Sequence, residues 1–299
     1  MKFIKFINDN NLGIVEQNKS LKKMTTFKIG GHSKYFVYPK GIFELSKIIK
    51  YCYQNSMKYY VLGNCSNVLI SDDYFEVVFI SLKFLNTIKS KDNIYMLGGG
   101  LKAPFIGYHL LKKGFEEAIP LALIPGTIGG VIYMNASCFK RNIDDILEKV
   151  VFLTKTGQIK IRKKPLGLEY RNSCFQNNEC ILLMGIFKFN KLNINSMNLF
   201  KKYLNIKKTT QPLNTFNAGS IFKNPKDFLA WELIEKAGLR GYSIGDAEVS
   251  KKHCNFLINK NNSTFNEMLA LIYFVKYKVL SEFNIELETE IKIITPQSI

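Results

Sequence analysis

Arginine is nearly missing from this chain: only Arg141, Arg162, Arg171 and Arg240 occur, although Lys and Arg together number 42. Nucleic-acid sites favour the planar guanidinium fork, and here lysine is scattered through every segment. The formal charge of +18 therefore does not read as a nucleic-acid footprint, although it can steer an anionic substrate. Short basic runs such as Arg162-Lys163-Lys164 and Lys207-Lys208 read as solvated loops. No C-x-x-C pair exists among Cys52, Cys65, Cys138, Cys174, Cys180 and Cys254, and three histidines complete no metal pattern. Those cysteines are expected to be structural thiols in a reducing compartment. Long apolar runs are also absent. The first residues, Met1-Lys2-Phe3-Ile4-Lys5, meet lysine too soon for an export signal, and Pro125 with three glycines interrupts the run 123–136. The expectation is a cytoplasmic protein without a membrane span. Neither G-x-G-x-x-G opening a helix nor the Gly-Lys-Ser/Thr ending of a P-loop is present. Internal repeats and low-complexity tails are lacking as well.

What is present is a chain of 299 residues, 46% hydrophobic, with room for two domains. Its most informative stretch runs Leu123-Ile124-Pro125-Gly126-Thr127-Ile128-Gly129-Gly130-Val131-Ile132-Tyr133-Met134-Asn135-Ala136. Gly126, Gly129 and Gly130 allow close backbone approach and can aim successive N–H groups into one concavity, which suits a pyrophosphate. A second small-residue turn, Gly63-Asn64-Cys65-Ser66-Asn67, lies between strand-like runs 59–62 and 68–72. Two such turns suggest a dinucleotide held by loops. The competing reading of 123–136 is a buried, glycine-kinked strand, and spacing alone leaves both open.

Periodicity predicts a helix over 43–55, short strands over 77–81 and 94–97, and a helix over 103–113 that stops at Gly114. Runs 150–153 and 158–161 flank Lys155-Thr156-Gly157, a hairpin signal, and 181–189 reads as a buried strand. The polar stretch 191–211 reads as the inter-domain junction. Beyond it Asp227 is expected to cap a helix carrying Leu229, Ala230, Leu233 and Ile234, stopped at Gly238. Thr264-x-x-Glu267 has capping-box spacing before a long apolar-faced helix. Residues 285–293 alternate Ile285, Leu287, Ile291 and Ile293 with Glu286, Glu288, Glu290 and Lys292, the pattern of a half-buried strand with an acidic face. The fold class is α+β, without the regular βαβ alternation of a doubly wound sheet.

Three sets could do chemistry: Tyr170-Arg171-Asn172-Ser173, the compact turn Asn217-Ala218-Gly219-Ser220-Ile221-Phe222-Lys223-Asn224-Pro225, and Glu290. Each has a plainer reading. Glutamates at 286, 288 and 290 would ordinarily all face water, and Ser220 would ordinarily shape a turn. No nearby histidine provides a base for a serine nucleophile. Spacing alone supports a nucleotide-binding protein of two domains and no more.

The ordered motifs carry a resemblance. Thr26-Phe27-Lys28-Ile29-Gly30-Gly31, the turn at 62–72, Ile124-Pro125-Gly126-Thr127-Ile128-Gly129-Gly130, Tyr170-Arg171-x-Ser173-x-Phe175, Ala218-Gly219-Ser220-Ile221-Phe222-Lys223-Asn224-Pro225, His253-x-Asn255-Phe256-x-Ile258-Asn259 and Leu287-Glu288-x-Glu290 follow one another. The series resembles the UDP-N-acetylenolpyruvoylglucosamine reductase family from about residue 25 to 293, in the branch lacking the extra substrate-covering loop. That resemblance implies an FAD-binding domain of the vanillyl-alcohol-oxidase (PCMH) type over 1–195, in two subdomains, and a smaller α+β substrate domain over 196–299.

It also implies an activity: non-covalent FAD, with NADPH as co-substrate, reducing UDP-N-acetylglucosamine enolpyruvate to UDP-N-acetylmuramate in peptidoglycan precursor synthesis. The catalytic residues implied are Arg171, Ser220 and Glu290. Hydride delivered to the enolpyruvyl methylene carbon builds an enolate-like charge. Arg171 would hold the carboxylate, protonated Glu290 would donate to the same group, and Ser220 would deliver the proton. Gly63, Asn64, Cys65, Ser66, Asn67, Pro125, Gly126, Thr127, Gly129 and Gly130 would bind the cofactor. Tyr170 would line the substrate site, with Lys208, Asn224 and Arg240 toward the substrate phosphates. A monomer is expected.

The chain departs from the family pattern at positions where glycine is usual: Cys65, Leu123, Ser137 and Lys140. Each adds a Cβ where positive φ or close approach is expected. Two other readings compete: another FAD oxidoreductase of the same fold acting on an alcohol or sugar, and a basic nucleic-acid-binding protein.

Overall fold

The computed structural model describes residues 2–176 and 180–299. They divide into two compact units, one of Met1–Asn18, Lys34–Asn64 and Val77–Leu204, the other of Lys19–Ser33, Cys65–Glu76 and Asn205–Ile299. The division is thus interleaved in sequence, with two early segments belonging to the later unit.

In the first unit the strands Gly13–Ser20, His32–Pro39, Tyr74–Ser81 and Tyr59–Leu62 form a sheet in that spatial order, the last pair parallel. A second sheet is antiparallel and runs Ile159–Lys163, Leu147–Leu153, Ile181–Lys188, Ile94–Gly98 and Ile88–Lys91. The expected hairpin is its first pair, with Gly157 in the left-handed region at φ +80°. The expected helix at 43–55 is Ile42–Gln54, which buries Leu45, Ile48, Ile49 and Cys52 and leaves Phe43 exposed. It packs with Phe3, Ile7, Val37, Val78 and Leu183. A separate core gathers Leu97, Ile106, Leu110, Ile128, Ile132, Val150 and Phe187 around the helix Ala103–Lys112.

Residues 123–136 are neither a kinked strand nor one helix. The helix Ile119–Leu123 ends before Pro125, and Ile128–Tyr133 starts after a turn. The polar stretch 191–211 contains the helix Ser196–Thr210, and the division between the two units falls within it, after Leu204. Met197, Leu199, Phe200, Tyr203 and Leu204 supply its packing stripe, which outweighs the poor helix propensity of its asparagines.

In the second unit Ser243–Ile244, Ala247–Val249 and Leu257–Asn259 make a small antiparallel sheet. The helix Phe265–Phe283 opens with the expected capping box, Thr264 accepting from the Glu267 N–H while Glu267 accepts from the Thr264 N–H. It stops at Asn284 in the left-handed conformation. Asp227 is not a cap; the helix Ala230–Lys236 begins after Leu229, and the Asn224 side chain accepts from the Ala230 N–H at 3.0 Å. The acidic-faced strand is much shorter than its alternation suggests. Only Lys292–Ile294 forms a ladder, parallel to Val68–Ile70. Among the described residues no helix is long and apolar enough to cross a membrane.

Candidate functional site

The two small-residue turns approach one another through Gly63 and Thr127. A Cβ built on Gly63 would stand 2.9 Å from Thr127 Oγ1, so only a residue without a side chain leaves that hydroxyl its place. Thr127 caps the short helix Ile128–Tyr133, its hydroxyl accepting from the Gly130 N–H at 3.3 Å. The row of inward N–H groups expected here is mostly engaged. Ile128 donates to Leu101 at 2.9 Å, Gly129 to Gly99 at 2.8 Å and Val131 to Thr127 at 2.9 Å. The N–H groups of Gly126 and Thr127 have no backbone acceptor among the described residues. The N–H groups of Gly129 and Gly130 are therefore already taken, and a Cβ on Gly129 would stand 3.1 Å from the Gly99 carbonyl. Asn135, to which the sequence reading gave no task, buries its Oδ1 without a partner, while its Nδ2 donates to the Glu169 carbonyl at 2.8 Å. A buried acceptor left unsatisfied costs about 1–3 kcal/mol, so the position calls for a donor from outside the chain. Open N–H donors, a cradle that a Cβ would fill and an orphaned acceptor fit a nucleotide cofactor.

Of the other turn, Gly63 and Asn64 belong to the first unit and Cys65, Ser66 and Asn67 to the second. Cys65 adopts φ +51° and Lys140 φ +58°, so both replacements sit where glycine would be unstrained. Leu123 and Ser137 do not share that conformation. The Cys65 thiol is buried, which pushes its pKa up to about 12, and Thr26 donates from its N–H to the Cys65 carbonyl at 3.3 Å. Cys65 is therefore a neutral thiol at physiological pH, not a nucleophile.

Arg171 occupies the tip of a miniature hairpin in the first unit. Leu168 pairs with Ser173 and Glu169 with Asn172, leaving Tyr170 and Arg171 as the loop. Arg171 is held at φ +54°, and its guanidinium lies 5.3 Å from the Tyr170 ring centre. The hairpin is anchored below by Ser173 Oγ, which donates to the Tyr133 carbonyl at 2.8 Å.

Ser220 and Glu290 are brought together in the second unit. Ser220 bridges Phe256, Phe222 bridges Thr289, and the Glu290 N–H donates to the Ile221 carbonyl at 2.7 Å. Asn255 holds this turn as a backbone mimic: its Oδ1 accepts from the Phe222 N–H at 2.9 Å, and its Nδ2 donates to the Phe222 carbonyl at 2.8 Å. Sequence reasoning quoted Asn255 within a motif without assigning it a task; the motif was its only signal. Ser220 Oγ makes no hydrogen bond among the described residues and is half-buried, so the hydroxyl is available. Gly219 precedes it at φ +79°, which only glycine adopts without strain. Glu290 separates from its neighbours: the Glu286 and Glu288 side chains are 79% and 72% exposed, whereas Glu290 is half-buried.

The remaining predicted residues are partly engaged. Asn224 uses its Oδ1 as a cap and retains its amide donors, while Arg240 is paired to Glu235 at 2.6 Å and donates to the Lys251 carbonyl. Lys208 lies in the last turn of the helix Ser196–Thr210, its carbonyl accepting from Lys252 Nζ at 2.5 Å. Lys292, beside this region, has its ammonium pKa lowered, first by burial and then by Lys223.

Residues 211–294 match the family model described as UDP-N-acetylenolpyruvoylglucosamine reductase, C-terminal domain, and residues 33–161 match FAD binding domain. UDP-N-acetylenolpyruvoylglucosamine reductase of Clostridium novyi is 34% identical over 286 residues, 95% of this chain and 93% of that protein. The protein of the same name from Listeria welshimeri is 35% identical, over 94% of this chain and 95% of its own. The crystal structure of UDP-N-acetylenolpyruvylglucosamine reductase from Thermus caldophilus superposes with TM-score 0.81 and 26% identity, over 95% of this chain and 100% of that one.

Proposed function

The chain belongs to the UDP-N-acetylenolpyruvoylglucosamine reductase family, and from that membership we infer its reaction. It is an FAD-containing oxidoreductase that uses NADPH to reduce UDP-N-acetylglucosamine enolpyruvate to UDP-N-acetylmuramate, in peptidoglycan precursor synthesis. The α+β fold with a PCMH-type FAD-binding domain agrees with this. We assign FAD binding to residues 1–195 and substrate binding to 196–299.

When bound, FAD supplies two-electron chemistry, with hydride taken from NADPH and given to the enolpyruvyl methylene carbon. The protein's share is to stabilise the charge that then develops on the neighbouring carbon and its carboxylate. Arg171 presents a permanently charged planar fork to that carboxylate. Glu290, when protonated in a closed site, would donate a hydrogen bond to the same group. Ser220 hands its proton to the carbon centre, a weak acid meeting a strong base. Asn255 and Gly219 hold the Ser220 turn in place for that transfer. Gly63, Asn64, Cys65, Ser66, Asn67, Pro125, Gly126, Thr127, Gly129 and Gly130 are assigned to the cofactor, with Gly126 and Thr127 as backbone donors. Tyr170 lines the substrate site, and Lys208, Asn224 and Arg240 face substrate phosphates. We further assign the enzyme to the cytoplasm as a monomer, which analytical ultracentrifugation of the holoenzyme checks.

The observation that carries the residue assignment is the half-buried Glu290 beside an unengaged Ser220 hydroxyl, linked through Ile221. The deciding experiment is the visible spectrum of the purified protein. A flavin spectrum that bleaches anaerobically with NADPH and returns on adding UDP-N-acetylglucosamine enolpyruvate supports the reading. A colourless protein that takes up no added FAD overturns it.

A further inference from the structure

Arg171 Nη1 donates to Ser137 Oγ at 2.6 Å, across 34 residues of sequence. We propose that Ser137 is a positioning residue, which orients the Arg171 guanidinium for a substrate carboxylate before substrate arrives. This rests on the reading of Arg171 as the carboxylate receptor.

The contact joins two hairpins whose backbones are also held by other hydrogen bonds and packing. On one side, the hairpin tip of Tyr170 and Arg171 is held through main-chain carbonyls at Glu169 and Arg171. The Glu169 carbonyl accepts from Asn135 Nδ2 at 2.8 Å, and Gln176 Nε2 donates to the Tyr133 carbonyl at 2.8 Å and lies 3.5 Å from the Arg171 carbonyl. The backbone is therefore placed, yet an arginine side chain still has several rotatable bonds beyond it. Tyr170 restrains the guanidinium against its ring but does not choose its rotation in that plane. A hydrogen bond to one terminal nitrogen does choose it, and the fork's other edge is then aimed.

On the other side, Ser137 stands in the strand Ser137–Cys138, paired with Arg141–Asn142. The turn between them places Phe139 and Lys140 at φ +51° and +58°, the two-residue geometry that normally takes Asn-Gly. Two contacts hold that strained turn. Phe139 stacks on Tyr203 with centroids 4.2 Å apart, and Arg141 pairs with Glu116 at 2.5 Å. Ser137 therefore offers its hydroxyl from a backbone held by contacts other than the one to arginine. The serine hydroxyl also retains its own proton while accepting, so it leaves the arginine its full charge, as a carboxylate at that place would not.

The test uses the FAD-loaded enzyme and equilibrium titration calorimetry with two ligands, UDP-N-acetylglucosamine enolpyruvate and UDP-N-acetylglucosamine, which lacks the carboxylate. Ser137→Ala is expected to weaken the first on the order of 10-fold, as expected when a charged binding group is misaimed, and the second less than about twofold. Ser137→Thr keeps the hydroxyl and is expected to restore the difference. In an Arg171→Ala background, Ser137→Ala should add nothing. Equal weakening of both ligands by Ser137→Ala, or loss of FAD from that variant, would mean a merely structural serine and overturn the proposal. Loss of enolpyruvate affinity in Arg171→Ala but not in Ser137→Ala would overturn this proposal and leave the role of Arg171 standing. Unchanged affinity in Arg171→Ala would remove the underlying reading, and this inference with it.

Discussion

The side-chain amide of Asn67 donates to the main-chain carbonyl of Glu290 at 3.2 Å, bridging 223 residues of sequence. Asn67 in turn accepts from the Lys292 N–H at 3.0 Å, and the Glu290 N–H goes to Ile221 at 2.7 Å. A turn residue assigned to the cofactor and a carboxylate assigned to substrate thus share one hydrogen-bonded ladder. A neutral hydrogen bond of this kind contributes about 0.5–1.5 kcal/mol net. Asn67→Ala is accordingly expected to lower the unfolding free energy by about 1 kcal/mol in a urea titration. It should also slow reoxidation of the reduced enzyme by substrate, because the Glu290 backbone loses this restraint. Unchanged stability would mean that the amide contact is not made in solution.

Removing the assigned chemistry should act on one half-reaction only. Arg171→Ala, Ser220→Ala and Glu290→Gln are each expected to slow reoxidation by the enolpyruvyl substrate on the order of 10²- to 10⁴-fold. Bleaching by NADPH, followed separately by anaerobic stopped flow, should change less than about twofold. Slower bleaching with normal reoxidation would assign these residues elsewhere.

Burial raises the Cys52 and Cys65 thiols from 9.0 to about 12. The unfolded chain releases these protons near pH 9.0 and the folded chain only near 12, so the unfolded state binds fewer protons between those values. Stability is therefore undiminished below about pH 9 and falls as pH climbs toward 12. Urea midpoints measured from about pH 8 to about pH 10 should drop, and Cys52→Ala with Cys65→Ala should flatten the decline. Iodoacetamide at neutral pH should label Cys138 or Cys174, both half-buried, well before Cys65.

Lys140 holds φ +58° in a turn that favours glycine at that place. Lys140→Gly is expected to stabilise the folded chain by about 1 kcal/mol, the left-handed cost relieved less the added chain entropy of glycine. A denaturant midpoint that moves downward would show that the lysine side chain makes a compensating contact.

Local signals were read well where a short segment contains its own reason. The Thr264–Glu267 box and the hairpin at Gly157 depend on side chains a few residues apart, and both form as expected. The helix Ser196–Thr210 is not legible in a stretch read only as an inter-domain junction, because its asparagines weaken the local signal and its apolar stripe matters only against the core that receives it. Aspartate favours the cap position, but Asp227 is held at φ +66° and Asn224 reaches the helix instead. In the candidate site, residue types and order were legible, whereas the engaged N–H groups of Gly129 and Gly130 were not. A glycine permits a donor to point inward without saying whether another carbonyl has already taken it.

Sequence by itself determined the family, the fold class and the candidates Arg171, Ser220 and Glu290, because these depend on residue types in a fixed order. Tertiary structure alone decided which of three alternating glutamates leaves the water. Period-two spacing puts Glu286, Glu288 and Glu290 on one face and treats them alike. Long-range bonds to Ile221 and Asn67 draw only the last of them inward. Contacts across such distances also set the Arg171–Ser137 bond, since no local pattern records which hydroxyl a distant hairpin will present.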